Sequence, residues 1–206
     1  MKRIYLIRHG ETESNRRGIF RGRLDIPLSD TGEKQAESLK KYFKNISIEI
    51  VFSSPLKRAL KTAEIAFNQK QIIKEELINN LDLGDWSGVE KEKIRVNFPE
   101  KWNIWKKSPE EIKFPNGETL NDVYKRAEMF LTKILKMKEE NIVVVSHRSV
   151  IKIILSAALG IKDNYFWKFH LDNASVSTLI NLEERGWTLY NLNYTSHLDN
   201  FTTEWF

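Results

Sequence analysis

Apolar and polar positions along this chain change period several times, and each change marks a candidate element. Ile4-Tyr5-Leu6-Ile7 is a continuous apolar run ending at Arg8-His9, the pattern of a strand buried on both faces. A polar, glycine-punctuated loop is expected from Gly10 to Pro27. Leu28-Ser29-Asp30-Thr31-Gly32 then opens a helix with Ser29 as N-cap. Ala36, Leu39 and Phe43 fall at i, i+3 and i+7 and so share its buried side. Ile48 to Phe52 predicts a second strand ending at Ser53-Ser54, and Pro55 takes the first position of a helix running through Phe67.

Further on, Ile72-Ile73 marks a short third strand, and residues 90–115 read as helix in pieces broken by Pro99, Pro109 and Pro115. A longer helix is expected from about Leu120 to Lys138. Ile142-Val143-Val144-Val145 is the clearest buried strand and ends at Ser146-His147. Ser149 to Leu159 follows as an apolar-periodic helix closed by Gly160. Ser175 to Leu182 and Trp187 to Leu192 flank Glu184-Arg185-Gly186, a hairpin signal.

Strands alternating with helices imply an α/β fold, three layers (α/β/α) around a mostly parallel central sheet. No repeat, low-complexity tract or linker interrupts it, so residues 1–206 are expected to form one domain. Ligands of such sheets collect beyond the carboxyl ends of the strands. Arg8-His9, Ser53-Ser54 and Ser146-His147 all stand at such ends.

Composition narrows the function. At 206 residues and 41% apolar, the chain can bury a substantial core. No apolar run approaches the roughly 18 residues of a membrane span. The start lacks a signal-peptide pattern, so a cytoplasmic protein is expected. With no cysteine, disulfides and thiolate chemistry are excluded. The net charge of +5 is spread over lysines interleaved with glutamates, a solvated surface rather than a nucleic-acid site. A modest positive field still suits a small anion. The four histidines form no zinc-ligand pattern, so neither a metal nor another cofactor is expected.

A phosphomonoester dianion needs fixed positive charge around its oxygens, an in-line nucleophile and a proton for its leaving oxygen. Arginine offers paired planar donors for phosphate, and a neutral imidazole can attack phosphorus. The chain supplies Arg8 and His9 at one strand end, Arg58 one helical turn after Ser54, and His147 at a third position. Taken singly, each has an ordinary structural role: a hydrogen-bonded histidine, a surface arginine, a helix-capping serine. Composition and periodicity do not overturn those roles; local motifs do.

Leu6-Ile7-Arg8-His9-Gly10-Glu11-Thr12 with Asn15 resembles the signature of the histidine phosphatase superfamily, also called phosphoglycerate mutase-like. Similar matches follow in order: Pro27-Leu28-Ser29 with Thr31-Gly32, Ser53-Ser54-Pro55-Leu56-Lys57-Arg58-Ala59, Gly84-Asp85-Trp86-Ser87-Gly88, Gly117-Glu118-Thr119 and Val143 to His147. The resemblance spans essentially the whole chain. It implies that His9 is the phosphorylated nucleophile, that Arg8, Arg58 and His147 clamp the phosphoryl group, and that Asn15 adds a polar contact. It implies further donors from the loop after His9 and the backbone around His147, and it points to a homodimer. The C-terminal half, including Phe166-Trp167 and Asp172-Asn173-Ala174-Ser175, is most similar to small bacterial metal-independent phosphoserine phosphatases and the alpha-ribazole phosphatase group. The Arg-Arg pair of cofactor-dependent mutases is missing after the Trp loop, which favours hydrolysis of a small phosphorylated metabolite over mutase action.

One element of the pattern breaks. The family's proton donor is usually a glutamate four residues before the first glycine of the Gly-x-Trp-x-Gly loop, and here that residue is Asn80. An amide cannot protonate a leaving alkoxide, and loss of a general acid costs about 10²–10⁴-fold in rate. Three explanations stand: Asp82 on the same loop acts as surrogate acid; the chain is a slow phosphatase or an altered variant; or it is a subunit that binds phosphate esters without turnover. Arg21 stands where relatives often carry glutamine or serine and either recognises a second anionic group or faces solvent. Arg148 either joins the site or points outward from the helix start, and Leu83 is apolar where phosphoserine enzymes tend to be polar. The aromatic tail, Phe201 with Trp205-Phe206, is expected to pack on a neighbouring subunit or on its own core.

Overall fold

The computed structural model describes residues 1–199 and Thr203, so the tail residues Phe201, Trp205 and Phe206 lie outside the described residues. The apolar run at the start forms β1 (Lys2–Arg8) and the valine-rich run forms β4 (Asn141–Ser146), paired in parallel with Arg8 opposite Ser146. Joined to them are β2 (Ile50–Ser53), β3 (Ile72–Lys74), β5 (Val176–Asn181) and β6 (Trp187–Tyr194), giving the order β3-β2-β4-β1-β5-β6. The pairs β3·β2, β2·β4 and β4·β1 are parallel, whereas β5 and β6, the hairpin read from Glu184-Arg185-Gly186, add antiparallel strands at one side. The α/β class and the mostly parallel sheet are thus observed.

Alternation along the central strands builds two cores. Ile4, Leu6, Ile142 and Val144 face one side, where they pack with α6 (Leu120–Leu135) and α7 (Arg148–Leu159). Tyr5, Ile7, Val143 and Val145 face the other, against α2 (Asp30–Phe43) and α3 (Lys57–Ala66). Side chains of period two on strands that are covered on both faces require this arrangement. Among the described residues no helix is long and apolar enough to cross a membrane.

Local differences from the sequence pattern have specific causes. The loop after His9 contains a short helix, α1 (Glu13–Arg16), because Asn15 Oδ1 accepts from both the backbone N and the hydroxyl of Thr12, at 2.9 and 2.8 Å. Pro55 does not begin α3, which starts two residues later. Its first amide, Lys57 N, is capped by the distant carboxylate of Asp25 at 2.7 Å. Pro99 starts a helix rather than only breaking one: α4 (Lys91–Asn97) gives way to α5 (Pro99–Lys107), with proline at the tolerated N1 position. The long helix ends at Leu135 rather than Lys138. Ser29 caps α2 by accepting from Gly32 N at 3.2 Å, as its sequence position suggests.

Two glycines test the backbone. Gly84 has φ +49°, and a Cβ there would lie 1.9 Å from the Pro115 carbonyl oxygen, so the turn after Asp82 closes only around a bare Cα. Gly160 closes α7 at φ +68° with open space around it. Gly160→Ala should therefore lose only the left-handed penalty, about 1–2 kcal/mol, while Gly84→Ala adds a backbone clash and should cost distinctly more in urea unfolding. Equal losses for the two variants would show that the turn at Gly84 can widen.

Candidate active site

β1, β2 and β4 end side by side, and the residues at the ends of β1 and β4 line one narrow cleft of about 60 Å³. Arg8, His9, Arg58 and His147 are each at most 3% exposed. His9 leaves β1 with its backbone N bonded to Ser146 O at 2.9 Å, and its own carbonyl accepts from Asn173 Nδ2 at 3.0 Å. Its Nδ1 lies 2.6 Å from Gly10 O. A carbonyl can only accept, so Nδ1 carries the proton and a neutral His9 keeps its Nε2 lone pair. Burial, then Arg58 and Arg8, hold its pKa well below 6.5. The ring is therefore uncharged at neutral pH.

His147 follows β4 and precedes α7, so it sits where the helix N-terminus carries partial positive charge. Its Nε2 is 2.8 Å from Ser54 Oγ, its Nδ1 is buried without a protein partner, and its ring centroid is 5.2 Å from that of His9. Burial, Arg58 and His9 lower its pKa well below 6.5 as well.

Arg58 projects from the first turn of α3. Its Nη1 donates to Leu24 O at 2.7 Å and its Nη2 to Gly22 O at 3.0 Å, while Nε has no protein partner. Burial, and then the nearby charge of Arg21, lower its pKa to about 9, so it remains charged at neutral pH. Among the described residues it has no carboxylate within ion-pair distance. A buried cation of this kind is stabilised by an anion that enters from outside. Arg8 is oriented by Nη1 donating to Leu171 O at 2.7 Å.

The charged groups lining the cleft are Arg8, Arg21, Lys91 and Arg148; among the described residues no carboxylate lines it. Arg21 and Arg148 thus belong to the site rather than to the open surface. Asn80 lines the cleft too, its Nδ2 donating to Gly22 O at 2.7 Å, the same oxygen that Arg58 holds. Leu83 forms an apolar part of the wall.

Two expected contributors are turned elsewhere. Asp82 does not reach the cleft: its Oδ1 accepts from Gly84 N at 2.9 Å, and its Oδ2 lies 3.8 Å from Arg23. The surrogate-acid position expected of it is thus not occupied here, its carboxylate being bonded into the turn at Gly84. Asn15 likewise holds Thr12 and is absent from the cleft lining, so the polar contact expected of it is not placed there. The loop after His9 is also committed internally, with Gly10 N bonded to Thr62 Oγ1 at 3.0 Å and Glu11 N to Gln35 Oε1 at 2.9 Å. Its first amides are not available as extra phosphate donors. Among the described residues no group of three or more acidic, His or Cys side chains could hold a metal ion.

Sequence reasoning missed Ser54 as the partner of His147, and it missed Lys91, Trp105 and Trp167 as cleft residues. The Ser53-Ser54 motif marked the first; a lysine in a Glu/Lys run and Trp105 in a proline-broken segment gave no signal, and Trp167 stood out only as part of the resemblance. His170 pairs with Asp172 at 3.0 Å, and His197 bonds Ala174 O at 3.0 Å, as supports outside the cleft.

Comparisons with known proteins identify the family and the fold. The family model for the histidine phosphatase superfamily (branch 1) matches residues 4–195. A relative from Hydrogenobacter thermophilus, phosphoserine phosphatase 1, is 39% identical, with 99% of this chain and 98% of that protein covered. The adenosylcobalamin/alpha-ribazole phosphatase of Escherichia coli is 28% identical over 93% of this chain and 95% of its own length. A mutant phosphoserine phosphatase from Entamoeba histolytica, solved with phosphoserine, superposes with a TM-score of 0.86 at 30% identity, covering 96% of this chain and all of that one.

The cleft should bind inorganic phosphate through the buried arginines. At phosphate 100 times its Kd, the wild type should gain about 2.7 kcal/mol of stability, read as a rise in Tm, and Arg58→Met should lose most of that gain. An equal rise in both proteins would place the anion elsewhere.

Proposed function

Because this chain belongs to the histidine phosphatase superfamily and is a phosphatase, we propose that it hydrolyses a small phosphomonoester through a phosphohistidine at His9, within one domain spanning residues 1–206. The observation that carries this is the meeting of Arg8 and two neutral histidines on a cleft whose charged lining is all basic, with the buried Arg58 directly behind its Gly22 wall and close enough to lower the pKa of both histidines. Arg8 and Arg58 draw in the ester dianion and hold its non-bridging oxygens. The Nε2 lone pair of His9 attacks phosphorus as the P–O bond to the leaving group breaks, and the leaving oxygen takes the electron pair. His147, with Nε2 accepting from Ser54, donates from Nδ1 to a phosphoryl oxygen. Water then attacks the phosphohistidine and the P–N bond breaks, returning neutral His9 with phosphate and a proton. The set ester plus water gives alcohol plus phosphate, so the step balances.

The weak point is protonation of the leaving group. Asn80 occupies the place from which a carboxylic acid would act, and Asp82 does not replace it. Asn80 also aims its amide at Gly22 O. A glutamic acid there could approach that carbonyl only in its protonated form, which is the state a general acid needs. Asn80→Glu should therefore raise turnover of alkyl phosphates such as phosphoserine by about 10²-fold or more and change 4-nitrophenyl phosphate turnover little. If Asn80→Glu gains nothing on any ester, residue 80 is not the acid position. The same missing acid favours a second reading, a subunit that binds phosphate esters without hydrolysing them. Tight ester binding with no turnover in wild type would support it.

The lowered pKa of His9 sets the pH profile. The nucleophile is the neutral form, which persists below 6.5 and is lost only as the pH falls through the depressed value. After allowance for the ester's second ionisation near pH ~6, kcat/KM should stay level from pH 8 to below 6.5. An acid limb centred at 6.5 or above would contradict an unprotonated, buried His9. The resemblance further supports a homodimer in the cytoplasm, which sedimentation across protein concentrations and cell fractionation would check.

A further inference from the structure

The phosphate cleft shares three walls, Trp105, Arg148 and Trp167, with a second cavity of about 520 Å³. Trp102 and Phe169 add further flat apolar walls, and Lys106 and Lys152 add cations. The aromatic wall is fixed in place: Trp167 Nε1 donates to Trp105 O at 3.1 Å, and the two indoles meet edge-on with centroids 5.1 Å apart. Lys152 is 3% exposed, with its ammonium 4.7 Å from the ring centroids of both Phe166 and Trp167. Cation–π attraction supports a buried charge of this kind. Among the described residues no carboxylate lines this chamber.

That chamber adjoins the place where a leaving group must sit, and the leaving group here receives no proton from residue 80. An aliphatic alcohol, a far weaker acid than a phenol, departs poorly without one. A phenol, with a pKa of about 10, departs readily as phenolate. Flat aromatic walls and cations without acids suit a ring that carries its own negative charge. We propose that the substrate class is an aryl phosphomonoester bearing an anionic ring substituent, such as a carboxylate, with the ring in this chamber and the substituent toward Lys152 and Lys106. The assignment rests on the hydrolytic role of His9. As the His9 Nε2–P bond forms, the P–O(aryl) bond breaks, the phenolate leaves with the electron pair and takes its proton from solvent.

The test compares 4-carboxyphenyl phosphate with phosphoserine, both in turnover and in binding followed by tryptophan fluorescence. Wild type should prefer the aryl ester by about 10²-fold in kcat/KM and bind it more tightly, so recognition is separated from leaving-group reactivity. Trp102→Ala and the surface change Lys106→Gln should each reduce the aryl-to-alkyl preference by about 3- to 10-fold, mainly through KM. Turnover of both esters with equal binding, and a preference that neither variant moves, would overturn the chamber assignment and leave hydrolysis at His9 standing. No turnover with tighter aryl binding would overturn hydrolysis and leave the chamber standing. Neither turnover nor binding would overturn both.

Discussion

Holding the Arg58 guanidinium at 0% exposure without a carboxylate costs free energy that two backbone carbonyls only partly offset. Those carbonyls, Gly22 and Leu24, belong to the loop that also carries Arg21 into the cleft, so one arginine fixes that loop and, in the proposed mechanism, also holds the anion. Gly22 O accepts from Asn80 as well, which ties the leaving-group side of the cleft to the same residue. Removing Arg58 would therefore do more than delete the phosphate contact proposed for it. It releases the loop, and it removes a leading electrostatic cause of the lowered pKa values of His9 and His147.

The same positive field has two consequences that act together. It disfavours protonation of the two imidazoles, keeping His9 nucleophilic, and it favours a dianion over neutral competitors. Capture and attack are thus built from one set of charges. Departure is not: in the proposed mechanism it needs a proton, and the cleft offers the amide of Asn80 at the position assigned to the acid. The chemical burden shifts to the leaving group, and the aromatic, cationic chamber next to Trp105 and Trp167 is where that group would be recognised.

Much of this was legible from residue order because buried strands leave long apolar runs. Ile4 to Ile7 and Ile142 to Val145 announced themselves, and the polar residues just after them fell at the sheet's carboxyl edge. What stayed hidden depends on contacts between distant residues. The start of α3 is set by Asp25 reaching Lys57 N, which a local proline rule misplaces at Pro55. Asp82 looked like a surrogate acid by proximity in sequence, yet its carboxylate closes the turn at Gly84. Ser54 meets His147 across 93 positions, a pairing set by β2 and β4 lying side by side. Lys91 and Trp105 enter the cleft from short helices whose charged and proline-broken sequence gives no periodic signal, and Trp167 enters from the short turn Phe166–Lys168.

The central claim is that the phosphoryl group passes through the His9 imidazole, and trapping that adduct tests it most directly. Wild type mixed with a phosphorus-labelled aryl phosphate and quenched within the first turnovers should yield a protein-bound phosphoryl group that survives alkali and is lost in acid. The adduct should be missing in His9→Ala. An acid-stable, alkali-labile adduct, or one that persists in His9→Ala, would contradict the account.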